Sequence, residues 1–109
     1  MALNRVKAGD IVDLQPLGEK LPGAKTTALA KTEAFEAIRL VVPAGRDIAP
    51  HEVPGPITLQ CLEGRILLDL PDGSVELSTG QWIYLDGGAR HALKGLENSS
   101  LLLTILFDR

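Results

Sequence analysis

The stretch GRDIAPHEVPGPITLQCLEG, residues 45–64, holds one of the chain's two histidines between two glycines. Five residues separate Gly45 from His51, and Pro54-Gly55-Pro56 then breaks the chain before the apolar run Ile57 to Leu62. Prolines this close together forbid a helix, because each removes a backbone donor and fixes φ. The segment therefore reads as turn, strand, turn, strand. The same cadence returns in GQWIYLDGGARH, residues 80–91. There, five residues separate Gly80 from Asp86, and two separate Gly88 from the second histidine, His91. In each half a glycine turn launches a short strand that delivers an imidazole just past a second turn.

Outward from these two stretches, short strand-like runs alternate with turn signals. Ile11 to Leu14 reads as a first strand, followed by a loop holding Pro16, Gly18, Pro22 and Gly23. Thr26 to Ala30 and Phe35 to Val42 read as strands, although Thr32 to Leu40 leaves the period open between strand and helix. Arg65 to Leu70 and Val75 to Leu77 flank Pro71-Asp72-Gly73, where Asp-Gly supplies the positive φ of a tight hairpin. Trp82 to Leu85, His91 to Leu93 and Leu101 to Phe107 complete the set. About nine short strands with turns every eight to twelve residues predict an all-β sandwich or small barrel. The chain reads as one domain, 1–109, with an N-terminal strand and loop over 1–24 and the barrel over 25–109.

Composition narrows the function classes. The net charge of -3 shows no basic stripe for phosphates, and 4% aromatic residues offer no stacking platform, so nucleic acid is excluded as a partner. No run approaches the roughly 18 apolar residues of a membrane span. The single cysteine, Cys61, forms no internal disulfide and suits a reducing compartment; a cytoplasmic protein is expected. No nucleophile elbow, phosphate-binding glycine loop or paired cysteines are present. His51-Glu52 looks like the start of a zinc helix, but Gly55 stands where the second histidine would be.

The glycine and histidine spacing resembles that of the cupin superfamily, small RmlC-like jelly-roll barrels with a double-stranded β-helix. In particular it is similar to the small stand-alone cupins of bacteria. The family's first motif runs Gly, five residues, His-x-His, three or four residues, Glu, six residues, Gly. Gly45, His51 and Gly64 match it, while Val53 stands at the second His and Ile57 at the Glu. The second motif runs Gly, five residues, Pro-x-Gly, two residues, His, three residues, Asn. Gly80, Gly88 and His91 match; Asp86 replaces the Pro and Gly95 the Asn. The first motif is thus degenerate.

The resemblance implies a pocket at the barrel mouth in which His51 and His91 meet. Family precedent makes both metal ligands for a divalent transition metal such as zinc, iron, manganese, nickel or copper. A catalytic metal normally takes three protein ligands, and two imidazoles alone hold an ion weakly. The alternative is a pair of pocket histidines that contact an organic ligand. By strand alternation Ile57, Leu59 and Cys61 share one face, and they are expected to wall the pocket with Val53. Gln60 reaches inward only through a bulge. Trp82 and Tyr84 share a face and line either this pocket or a packing surface. Cys61 is a third ligand only if its buried-hydrophobe reading fails.

Two further expectations follow from charge and burial. Arg39, in the middle of an apolar strand, wants a carboxylate or an anionic ligand, with an intersubunit ion pair the commoner solution. Phe35 to Val42 and Leu101 to Phe107 read as doubly apolar edge strands, which a second copy covers, so a homodimer is expected. The function expected is a single-domain cupin that binds a small ligand, with or without a weakly held metal, in the barrel. The competing function is a metal-dependent cupin enzyme, a dioxygenase or isomerase, using His51 and His91.

Overall fold

The computed structural model describes residues 2–3, 6–51 and 53–107, and at positions 2–3 and 49–51 the backbone alone. Among the described residues ten strands run in order: β1 (Ala2–Leu3), β2 (Thr27–Lys31), β3 (Phe35–Val42), β4 (Asp47–His51), β5 (Ile57–Glu63), β6 (Arg65–Leu70), β7 (Gly73–Ser78), β8 (Trp82–Leu85), β9 (His91–Gly95) and β10 (Ser99–Leu106). They form a six-stranded sheet, β1-β2-β3-β10-β5-β8, and a four-stranded sheet, β4-β9-β6-β7. All pairs are antiparallel except β1 with β2. This is the all-β, two-sheet barrel that the turn spacing predicts.

Alternation builds the core. Along β5, Ile57, Leu59 and Cys61 are buried while Thr58 and Gln60 between them are half-buried. Leu59, Cys61, Val42 and Leu101 of the large sheet face Ile66, Leu68, Leu77 and Leu93 of the small one. Each such aliphatic side chain contributes about 1.5–3 kcal/mol by leaving water. The four motif glycines explain why their spacing is fixed: Gly45, Gly64, Gly80 and Gly88 have φ of 80°, 90°, 86° and 79°. Only glycine enters that region without a steric cost.

Several sequence expectations are corrected. Ile11 to Leu14 is not a strand, and Ile11 is 95% exposed. Phe35–Val42 is a strand throughout, which settles the ambiguous period. It is not an edge, and neither is β10: β3 and β10 pair with each other in the middle of the large sheet. The edge-strand ground for a homodimer therefore fails. Part of their outer face is covered from within the chain. Arg39 on β3 reaches the N-terminal segment, donating to the carbonyls of Gln15 (2.6 Å) and Asp13 (3.4 Å). Its carboxylate partner is Glu63 of the same chain, Nη2 to Oε2 3.8 Å, rather than a residue across a subunit interface. Glu63 in turn accepts from the Leu17 N–H (2.8 Å), the Gly18 N–H (3.1 Å) and the Ser100 hydroxyl (2.6 Å). The segment 13–18 is thus a strap, fastened across the large sheet by one buried charge cluster.

Candidate functional site

At one end of the barrel two turns meet, residues 53–56 and 86–89. The Gly88 N–H donates to the Val53 carbonyl at 2.7 Å. A Cβ on Gly87 would collide with the Pro54 carbonyl, so only glycine lets the two backbones approach this closely. The turns hold the end of β4 beside the start of β9. In that ladder His51 is paired directly with His91. The side chain of His51 and all of Glu52 lie outside the described residues. His91 is buried, 5% exposed, with Nδ1 3.1 Å from the Ala89 carbonyl. A hollow of about 170 Å³ beside it is lined by Asp69, Leu70, Pro71, Arg90, His91 and Ala92.

The other expected pocket residues divide by face. Val53 packs half-buried against the core, and Ile57, Leu59 and Cys61 lie within it, exposed by 3%, 1% and 0%. Gln60, Trp82 and Tyr84 do not join them. The register pairs Gln60 with Trp82 and Thr58 with Tyr84, so these four occupy the outer face of the large sheet. Their strand partners Ile83 and Leu85 turn inward instead. Trp82 is 60% and Tyr84 50% exposed. No bulge at the Pro-Gly-Pro turn shifts β5, which pairs with β8 residue for residue from Ile57 to Gln60. Of the seven candidate pocket residues, the register thus places Gln60, Trp82 and Tyr84 on the other face from Ile57, Leu59 and Cys61: one slip of alternation exchanges the faces.

Cys61 does not extend the histidine pair. Its thiol donates to the carbonyls of Glu63 (3.4 Å) and Gly64 (3.5 Å). Burial pushes its pKa up, the bond to the Glu63 backbone opposes this, and the charges of Glu63 and Glu97 add to the rise. A metal ligand must be the thiolate, and burial opposes that form here. Among the described residues no three His, Cys, Asp or Glu side chains are grouped to hold an ion. Among the described residues, hydrocarbon stands at two of the family's ligand positions and the Cys61 thiol is committed to carbonyls.

Two polar features escaped the reading of the sequence. Asp86, seen only as a replacement for proline, accepts a 2.7 Å hydrogen bond from the Tyr84 hydroxyl. That bond, then burial, then the Asp86 charge raise the phenol's pKa. Glu63, at the end of an apolar strand, was not singled out; its unusual company of apolar residues was the available signal.

No protein-family model matches the chain, and no curated protein matches it in sequence. Solved structures do match it. A conserved protein of unknown function from Streptococcus pyogenes aligns over 100% of this chain and 96% of its own, with TM-score 0.78 and 18% identity. A cupin superfamily protein from Desulfitobacterium hafniense aligns over 76% of each chain, with TM-score 0.74 and 19% identity. An RmlC-like cupin with a double-stranded β-helix fold from Methanocaldococcus jannaschii covers 74% of this chain and 77% of its own, at TM-score 0.67 and 19% identity. At such identities the likeness establishes the fold: this chain has the RmlC-like cupin architecture.

Proposed function

We propose that this cupin-fold chain is a binding module for a small, partly apolar molecule held at the barrel mouth. His91 and, opposite it in the ladder, His51 are its polar contacts. The observation that carries the reading is the pairing of the two histidines between β4 and β9, while Val53 and Ile57, at the positions where the cupin motif would place two more ligands, pack with the core. An imidazole both donates and accepts hydrogen bonds, and hydrocarbon walls with few convergent polar groups suit an organic ligand. Two imidazoles fall short of the three ligands of a catalytic metal centre.

The test is metal analysis of protein purified without chelator, alongside His51→Ala and His91→Ala. We expect substoichiometric metal in all three proteins. We also expect organic fragments to shift the His91 ring resonances of the native protein, and to bind His91→Ala more weakly as read by amide shifts. One equivalent of a transition metal, lost in both variants, would overturn the reading in favour of the metal-dependent enzyme.

A further inference from the structure

The two sheets close the barrel along seams. At one of them β7, an edge strand of the small sheet, and β8, an edge strand of the large one, border a common hollow without pairing to each other. A hollow of about 400 Å³ opens there, between the β6–β7 hairpin and the loop after β8. That volume lies in the ordinary range of small-molecule pockets. Its wall is hydrocarbon from Leu70, Pro71, Val75 and Leu85, with Tyr84 and the two carboxylates Asp72 and Asp86 at the rim. Val75 and Tyr84 are 41% and 50% exposed, so both offer apolar surface that the fold itself leaves uncovered.

The charge of this hollow is one-sided. No lysine, arginine or histidine lines it. Among the described residues neither carboxylate has a cationic partner; the ion pairs are Arg39 with Glu63 and Arg65 with Glu76 and Glu97. The Tyr84 hydroxyl donates a hydrogen bond to Asp86. This holds the carboxylate at the rim beside an aromatic ring, and phenol and carboxylate together favour a cation. An anionic ligand would meet two like charges here, and a neutral one would leave both unused.

We propose that the β7–β8 seam is a second binding site, independent of the barrel mouth, for an organic ammonium ion with an apolar body. The apolar body fills the hollow against Val75 and Leu85, and the ammonium group lies between Asp72 and Asp86 beside the Tyr84 ring. The site selects by charge first and by hydrocarbon volume second.

The test compares benzyltrimethylammonium with phenylacetate and benzyl alcohol, three probes of similar apolar body and different charge. Binding is followed by amide chemical shifts and by the fluorescence of Trp82, the single tryptophan, two residues from Tyr84. We expect saturable binding of the ammonium probe, with shifts confined to residues 70–75 and 84–89. We expect it to be about fivefold tighter than either competitor, since a cation at a half-exposed ring beside carboxylates gains on that order. Asp86→Asn and Asp72→Asn should each weaken it several-fold, and added salt should weaken it further. Equal binding of phenylacetate would overturn the proposal. So would shifts centred on Val53 and His91, or no saturation by about 10 mM. Because the reporters of the seam and of the mouth are different residues, failure here leaves the mouth reading intact.

Discussion

Glu63→Gln isolates what fastens the strap. In the native chain Oε2 accepts from the Leu17 N–H at 2.8 Å and the Ser100 hydroxyl at 2.6 Å, and Oε1 accepts from the Gly18 N–H at 3.1 Å. Glutamine has one carbonyl oxygen, so in either orientation a backbone N–H faces an NH2 group. Losing one hydrogen bond to a charged acceptor costs about 1.5–3 kcal/mol. Arg39 also loses its counter-ion in a pair whose side chains are 11% and 12% exposed. Breaking a buried pair costs about 3–5 kcal/mol. Arg39 keeps the Gln15 and Asp13 carbonyls, however, and the two losses overlap within one network. We therefore expect a total near 2–4 kcal/mol, or roughly 10–15 °C in Tm for a domain of this size. Urea and thermal unfolding measure the total, and amide exchange locates it: Leu17 and Gly18 should lose protection before the core strands do. The pH arm has a definite sign. Burial pushes the Glu63 carboxyl up, but the Ser100 hydroxyl, the Leu17 and Gly18 N–H groups and the Arg39 charge outweigh it and hold the pKa below the ordinary carboxylate value. Its contribution is therefore complete at neutral pH and is lost as pH falls below about 4. In Glu63→Gln that part of the acid sensitivity should vanish. A cost under about 1 kcal/mol, or unchanged exchange at Leu17 and Gly18, would refute the clasp.

Three other outcomes follow from the same geometry. Gly64→Ala should cost about 3 kcal/mol or more, because its Cβ would strike Ser99 and the Asn98 carbonyl at positive φ. Gly80→Ala, with similar φ but open space, should cost only about 1 kcal/mol; equal losses by urea titration would show that crowding at Gly64 plays no part. Cys61 should resist thiol reagents in the native state and react only at the rate of unfolding, and rapid modification at pH 8 would contradict a buried, protonated thiol. Tyr84 is the single tyrosine, so ultraviolet titration reports it alone. Its phenol should ionise above the ordinary pH, and Asp86→Asn should bring it down; no change in the variant would exclude the hydrogen bond as the cause.

What the chain could reveal by itself was local. Glycines that must take positive φ, prolines that end strands and alternation within a run are properties of adjacent residues. They marked Phe35–Val42, Arg65–Leu70 and Trp82–Leu85 with the bounds the fold gives them. The same cues paired the two motif halves and so pointed to the barrel. Ile11–Val12-Asp13-Leu14 misled because alternation without a sheet edge to pair with is only a pattern. Asp47–His51 is legible as a short strand delivering His51, but its ladder to β9 joins residues about forty positions apart and leaves no local trace.

Which faces share a cavity was decided only by the tertiary structure. Inward and outward differ by a single step of register, and the register of β5 against β8 is set by hydrogen bonds between strands, not by the composition of either. That register sends Leu59 into the core and turns Gln60 and Trp82 to the outer face. The same is true of charge. The oddity of Arg39 was legible along the chain, but a guanidinium in an apolar strand names no partner. Sheet order sets β5 two strands from β3 and brings Glu63 within 3.8 Å of it, over a strap drawn from residues 13–18. Backbone conformation is written residue by residue; the meeting of distant side chains is a long-range property that only the closed barrel creates.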